Sequence, residues 1–100
     1  MPETRNDEAA HRYEIVEDGV VAGFAEYMAV RGERIVFTHT EIDPRFEGQG
    51  LGSQLIGHAL ADARDRGQLI VPICPFVAKY VHRHHEYVPF LDERIRKAFE

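Results

Sequence analysis

The sequence lacks the features that mark secreted, membrane-spanning and nucleic-acid-binding proteins. A single cysteine leaves no partner for an internal disulfide, which suits a reducing cytosol. No apolar run approaches the roughly 20 residues that a membrane span requires. Lysine and arginine total 12 against 17 aspartates and glutamates, a net charge of −5, which argues against direct nucleic-acid binding. We therefore expect a cytoplasmic protein that binds neither membranes nor nucleic acid.

The composition that remains is typical of one small globular domain. The chain has 100 residues, of which 44% are hydrophobic and 29% charged. This length suits one sheet with two or three helices around a small core. The first ten residues are charged and show no apolar period, so we predict a disordered leader over 1–10 and not a signal peptide. A single domain is expected over 11–100.

The periodicity of the rest predicts a mixed α/β (α+β) fold. We predict strands at 12–16, 20–30, 34–42 and 69–73, and helices at 50–66, 76–83 and 89–99. Asp18-Gly19 marks a hairpin, so the first three strands should pair antiparallel. The strand at 69–73 follows a strand–helix unit and should lie parallel to the third strand. The apolar start of the third strand predicts burial on both of its faces.

The most informative stretch is a glycine-rich segment at residues 45–53, with the sequence RFEGQGLGS. It follows a predicted strand and opens into a predicted helix. Glycine permits positive φ and lets a ligand approach the backbone closely. The amides in the first turn of a helix face outward, where the helix dipole favours an anion. This arrangement predicts a phosphate-binding site.

Two familiar glycine motifs do not fit this segment. A Walker A loop requires lysine after its second glycine, but Leu51 follows Gly50 and Ser53 follows Gly52. A dinucleotide fingerprint requires a third glycine where Ser53 stands, and the next predicted strand leads to a proline rather than an acidic residue. A glycine turn that merely begins a helix remains an alternative.

A third motif, Arg/Gln-x-x-Gly-x-Gly/Ala, fits Arg45, Gly48 and Gly50 and resembles the acetyl-CoA pyrophosphate loop of the GCN5-related N-acetyltransferases. Segments on both sides resemble the small single-domain members of that family, about 100 residues long. They are HTEI at 39–42, PICPF at 72–76, a tyrosine at 80, and His-x-Glu-Tyr at 84–87. The resemblance spans about residues 14–87.

The resemblance implies an acetyl-CoA-dependent N-acetyltransferase. Backbone amides at 49–52 should hold the CoA diphosphate, the pantetheine arm should lie between the strands at 34–42 and 69–73, and the thioester should lie near Ile42 and Cys74. The implied cofactor-binding residues are Ile42, Arg45, Gly48, Gln49, Gly50, Leu51, Gly52, Ser53 and Cys74.

The chain also departs from the larger acetyltransferases. The hairpin at Asp18-Gly19 leaves no room for the helices that normally wall the acceptor site, and a helix replaces the C-terminal strands. The acceptor is therefore an unidentified amine, of a small molecule or a protein. We expect a monomer or a weak dimer.

Three side chains are candidates for catalysis. Cys74 precedes a predicted helix, where a thiolate is favoured, and can take the acetyl group covalently; a small buried side chain is the alternative. Glu41 can act as general base for the amine, or it can shape the strand end through a salt bridge. His39, on the same strand face, can act as a base too, but a satisfied core histidine is the favoured alternative. Tyr80 can protonate the departing CoA thiolate or simply pack on the sheet. No metal site is expected, since the histidines at 82, 84 and 85 lack ligand spacing.

Two functions from different classes remain open. The first is N-acetyl transfer, directly or through Cys74. The second is a non-catalytic acyl-CoA-binding or sensing module that retained the loop but has no organised acceptor site. A protein-interaction domain with a vestigial loop is a more remote third.

Overall fold

Five strands form one sheet in the order of the sequence. The structure is a computed structural model and describes residues 2–100. The strands are Glu3–Asp7 (β1), Arg12–Glu17 (β2), Val20–Val30 (β3), Arg34–Ile42 (β4) and Leu69–Pro72 (β5). The α-helices are Leu51–Asp65 (α1), Pro75–Arg83 (α2) and Glu93–Arg96 (α3). Short 3-10 turns occupy Glu8–Ala10, Pro44–Phe46, His85–Phe90 and Lys97–Phe99.

The sheet is mostly antiparallel, as predicted. Strands β1 to β4 pair antiparallel, and β5 pairs parallel with β4. Helix α1 supplies the crossover that a parallel pair requires. The predicted α/β (α+β) class, with a mixed sheet, is therefore confirmed.

The prediction of a disordered leader is wrong for the described part of that segment. Strand β1 pairs with β2 along its whole length. The Arg5 guanidinium donates to Glu14 at 2.7 Å, and the Tyr27 hydroxyl donates to Asn6 Oδ1 at 2.7 Å. Charged side chains are common on edge strands, where they discourage aggregation. Because β1 is such a strand, its sequence lacks the alternation of apolar residues from which a strand is predicted. Met1 lies outside the described residues.

The core lies between the sheet and one stripe of α1. Residues on this stripe are fully buried: Leu55, Ile56, Ala59, Leu60 and Ala63. They share one hydrophobic cluster with the inward-facing side chains of the strands, among them Tyr13, Ile15, Ile35, Phe37 and Ile70. This spacing of three to four residues is what turns one helix face toward the sheet.

The prediction that the third strand is buried on both faces is wrong. Ile35 and Phe37 are fully buried, but Val36 between them is only half-buried. Its partner on β3 is Met28, which is 60% exposed. The face of the sheet opposite α1 therefore meets solvent along β3 and β4.

Helices α1 and α2 lie side by side because α1 carries glycine where α2 carries aromatic rings. A Cβ at Gly52 would stand 2.5 Å from the Phe76 ring, and one at Gly57 would stand 2.8 Å from the Tyr80 hydroxyl. Glycine at both positions therefore leaves the space that the two aromatic side chains fill. The contact places the first turns of both helices next to each other.

The prediction of one continuous helix over 89–99 is also wrong. Leu91 instead forms a single parallel bridge with Ile70, and the Asp92 amide donates to the Ile70 carbonyl at 3.0 Å. The Asp92 carboxylate then caps α3 and binds Arg34 at 2.7 Å. These contacts with β5 and β4 are not local in sequence, so helical periodicity does not reveal them. Among residues 2–100, no helix combines the length and apolarity that crossing a membrane would need.

Candidate cofactor and acceptor site

Two glycines within the glycine segment have left-handed backbone conformations and turn the chain into α1. Gly48 has φ 80° and Gly50 φ 73°, a region that other residues enter only with strain. Gly50 is the N-cap of α1 and provides no side-chain cap. The first helical hydrogen bond is donated by Gln54 to the Gly50 carbonyl. The preceding amides of the first turn therefore have no acceptor within the helix.

The residues that carry these amides line a cleft of about 390 Å³, which we call the loop cleft. Its walls come from the end of β4, the glycine segment and the first turns of both helices: Thr40, Ile42, Phe46, Glu47, Gly48, Gly50, Leu51, Gly52, Ser53 and Phe76. Six of the nine predicted cofactor residues are in this set. Gln49, Arg45 and Cys74 are not.

The loop cleft exists because β4 is longer than its parallel partner. The last pair between the two strands joins Phe37 and Pro72. Beyond it β4 runs on to Ile42, while β5 ends and the chain turns into α2. A bulge at Thr38, where the register with β3 shifts, accompanies this separation. The end of β4 therefore runs on without a pairing partner on its β5 side.

Arg45 is committed to a neighbour. Its guanidinium donates to both carboxylate oxygens of Asp43, at 3.1 and 2.8 Å, and its amide donates to the same carboxylate at 2.9 Å. The hydrogen bonds from Arg45 hold the pKa of Asp43 below its usual range. Arg45 therefore shapes the turn that leads into the glycine segment, and its side chain lies outside the wall of the loop cleft.

Cys74 is buried next to Thr40, one of the residues that line the loop cleft. Its amide donates to the Phe37 carbonyl at 2.8 Å, and its Sγ donates to Thr40 Oγ1 at 3.4 Å. The residue is only 3% exposed and forms the N-cap of α2. The thiol therefore contacts a residue of the cleft wall, Thr40, without itself lining the cleft.

A second cleft, of about 540 Å³, lies on the β3 side of the end of β4, and we call it the strand cleft. It is lined by residues of β2, β3 and the end of β4: Arg12, Val21, Ala22, Gly23, Phe24, Glu41, Ile42, Asp43 and Pro44. Ile42 lines both clefts. A Cβ at Gly23 would stand 2.8 Å from the Glu41 carbonyl oxygen, so glycine is needed for β3 to approach β4 here.

Glu41 occupies the wall of the strand cleft. It pairs across the strands with Phe24, and its carboxylate lies 3.0 Å from His39 Nε2. The side chains of both partners are more than half exposed, so this contact is weak and leaves Glu41 free to meet a ligand. Glu41 and His39 share one face of β4, as predicted from strand alternation.

Tyr80 lies in a third depression, between α1 and α2, of about 180 Å³, which we call the helix groove. Its lining residues are Ser53, Phe76, Lys79, Tyr80, Arg83 and His84. Burial raises the pKa of Tyr80, which keeps its phenol protonated at neutral pH. The structure does not bring Tyr80 together with Cys74 and Thr40, and its predicted role as proton donor stays untested.

Two of the three histidines predicted not to form a metal site stack on different aromatic rings. His82 stacks on Phe99, with ring centroids 4.4 Å apart. His84 stacks on Tyr80 at 3.8 Å, and its Nδ1 donates to the Tyr80 carbonyl. Within residues 2–100, no group of three histidine, cysteine or acidic side chains is arranged to hold a metal ion.

Sequence reasoning missed Thr40, Phe76 and the helix groove. Strict alternation from the buried Ile35 and Phe37 would place Thr40 on the solvent face, and the bulge that reverses the alternation before it is not visible in the sequence. Phe76 is 41% exposed, which is unusual for a large apolar ring on a helix of a small domain. Its position against Gly52 depends on the packing of two helices, and no local pattern signals it.

Comparisons with known proteins agree with this architecture. A family model described as GCN5-related N-acetyl-transferase matches residues 12–90. A comparison with curated proteins found no match.

Three solved structures share the fold. A protein from Staphylococcus aureus described as GCN5-like has a TM-score of 0.67 at 21% identity, covering 90% of this chain and 87% of its own. Ard1 from Thermoplasma volcanium has a TM-score of 0.53 at 23% identity, over 60% of this chain and 41% of its own. The ribosomal-protein-alanine N-acetyltransferase of Brucella melitensis biovar Abortus 2308 has a TM-score of 0.57 at 18% identity, over 81% of this chain and 60% of its own. The chain thus spans less than two thirds of the last two.

Proposed function

Because the chain belongs to the family of GCN5-related N-acetyltransferases, we propose that it transfers an acetyl group from acetyl-CoA to the amine of an acceptor. The observation that carries this proposal is the row of outward amides at the start of α1, which opens on the loop cleft. The two glycines before it have left-handed φ angles, and nothing lies within 4 Å of where their Cβ atoms would be. The site therefore offers amides and open space, the combination that a diphosphate needs.

The residues present fit CoA. The amides of Leu51, Gly52 and Ser53 would hold its diphosphate, and the glycine residues 48 and 50 would let it approach. The separated end of β4, with Thr40 and Ile42, would line the path of the pantetheine arm. Acetyl-CoA supplies the thioester carbonyl that an amine can attack.

The acceptor would approach from the strand cleft. Ile42 borders both clefts, so an amine in the strand cleft and a thioester in the loop cleft would meet at the end of β4. Glu41 stands on the strand-cleft wall, where its carboxylate can accept the proton that the attacking amine loses, directly or through water. A carbon–nitrogen bond forms as the carbon–sulfur bond breaks, and CoA leaves as the thiolate.

Direct attack by the amine is the route that the burial of Cys74 favours. The thiol is hydrogen-bonded to Thr40 and is absent from the wall of the loop cleft. Transfer through an acetyl-Cys74 intermediate is the second route, and the nearness of Sγ to the cleft wall supports it. That route requires the thiol to turn away from Thr40 before it can attack.

We expect Cys74→Ala to retain acetyl transfer within about threefold of wild type, because a side chain that does not contact the reacting atoms adds little to transition-state stabilisation. The measurement is CoA thiol release against a panel of amines, combined with intact mass after incubation with acetyl-CoA alone. Cys74→Ser, which can keep a hydrogen bond with Thr40, controls for loss of folding.

An acetyl mass gain in wild type that Cys74→Ala abolishes, together with lost turnover, would establish the covalent route instead. No thiol release with any amine and no mass gain would leave the acyl-CoA-binding or sensing module. The direct passage from β2 to β3 favours that second function, since no helix stands between these strands to wall an acceptor site.

A further inference from the structure

The helix groove continues from the loop cleft. Ser53 and Phe76 line both, so a ligand held at the start of α1 can reach into each of them. Phe76 stands at the boundary and is 41% exposed. The proposed function accounts for the loop cleft and the strand cleft but leaves the helix groove without a role.

Two cations face the helix groove from α2. Lys79 and Arg83 are four residues apart, so their side chains lie on one face of the helix. Within residues 2–100, neither forms an ion pair, whereas Arg34, Arg45 and Arg66 are each bound to a carboxylate. The helix dipole accounts for a cation in the last turn, where Arg83 lies, but not for Lys79 in the turn before it. Unpaired positive charge beside an anion-binding loop points to a second anionic group on the same ligand.

The groove also offers aromatic surface. The rings of Tyr80 and His84 are stacked 3.8 Å apart at an angle of 11°, and the hydrogen bond from His84 Nδ1 to the Tyr80 carbonyl holds the imidazole in place. Phe76 adds a third ring at the end nearest the loop. Flat, preorganised rings of this kind suit a nucleobase, because every base has a flat aromatic face that can stack on them.

CoA divides at its diphosphate into two chemically different arms. The pantetheine arm is uncharged and thin, and it matches the end of β4, where Thr40 and Ile42 line the loop cleft. The other arm is adenosine with a 3′-phosphate, which joins an aromatic base to a strongly charged anion. Of the three clefts that the described residues form, the helix groove is the one where cations without an ion-pair partner lie beside aromatic rings, because Arg12, which lies next to Phe24 in the strand cleft, is bound to Glu14.

We propose that the helix groove binds the 3′-phosphoadenosine arm of CoA, with Lys79 and Arg83 recognising the 3′-phosphate. The inference rests on the proposed use of CoA but goes beyond it, because it makes the site selective for CoA over dephospho-CoA. Dephospho-CoA keeps the diphosphate, the pantetheine arm and the base, and lacks only the group that the two cations would bind.

Calorimetric titration of the full chain with CoA and with dephospho-CoA tests this directly. Wild type should bind CoA about tenfold more tightly, because two partly solvated cations act on one phosphate. Lys79→Gln and Arg83→Gln should each reduce this preference by about threefold, and the double variant should bind both ligands about equally. Lys97→Gln removes a cation from the exposed last turn of the chain and should leave the preference unchanged. Raised salt should weaken the preference as well.

Equal binding of CoA and dephospho-CoA by wild type would overturn the role of the groove and leave the proposed function intact. Loss of the preference in Lys97→Gln as well would also overturn it, since the effect would then come from overall charge. If wild type binds neither ligand, the proposed function fails together with this inference.

Discussion

Replacing Glu41 with glutamine should lower kcat for acetyl transfer about a hundredfold or more, while the affinity for CoA stays within about twofold. The carboxylate lies on the wall of the strand cleft, one residue before Ile42, which borders both clefts. Glutamine has nearly the same shape but cannot accept the proton that the amine must lose. The loss should therefore fall on the chemical step, with little change in cofactor binding.

Steady-state kinetics with the best amine from the acceptor panel, and calorimetry with CoA, measure the two effects separately. His39→Gln serves as the matched control, because it removes the ion-pair partner at 3.0 Å and leaves the carboxylate in place. We expect it to change kcat by about fivefold or less, in keeping with the small energies of exposed ion pairs. A Glu41→Gln variant as active as wild type would show that the amine is deprotonated elsewhere.

Gly50→Ala should weaken CoA binding by about tenfold to a hundredfold. Gly50 has φ 73°, so alanine costs about 1–2 kcal/mol in backbone strain, and its methyl group would project into the loop cleft. Both effects disturb the amide row that would hold the diphosphate. Calorimetric titration with CoA gives the affinity, and chemical denaturation gives the change in stability.

Gly32→Ala separates strain from binding. Gly32 has φ 70° in the turn between β3 and β4, and nothing lies within 4 Å of its Cβ position, as is true of Gly50. The two variants should therefore lose similar stability, and only Gly50→Ala should lose affinity. Equal affinities for CoA would mean that the glycine segment does not form the phosphate site.

The predictable parts of the fold are those with strong local signals. Strands β3 and β4 were expected at the bounds that the structure has, because glycine turns before and after β3 and a proline after β4 limit them. Helix α1 was expected to within about a residue at each end, since its apolar stripe is regular and glycines stand at both ends. The glycine segment indicated the family because the motif is defined by the spacing of one arginine and two glycines, which a single sequence shows directly.

Elements held by distant contacts could not be predicted in this way. Strand β1 is stabilised by pairing with β2 and by the Arg5–Glu14 ion pair, neither of which leaves an apolar pattern. Glu14 is almost fully buried, yet its carboxylate accepts hydrogen bonds from two guanidinium groups. Although burial raises the pKa of Glu14, hydrogen bonds from Arg5 and Arg12 lower it overall, so the carboxylate stays charged inside the sheet.

The candidate site shows the same division between local and distant information. The position of Cys74 at the cap of α2 follows from Pro75, and it was predicted. Its burial behind Thr40 depends on how far β4 extends beyond β5, which is a property of the sheet. The helix groove depends on Gly52 and Gly57 meeting Phe76 and Tyr80, residues more than twenty positions away.

The most direct test of the account is an NMR titration of the 15N-labelled chain with CoA. We expect the largest amide shifts at Gly48, Gly50 and Gly52 and their neighbours up to Ser53, with smaller shifts along α2. Unmoved signals from these glycines at saturating CoA, or shifts confined to the opposite end of the sheet, would contradict it.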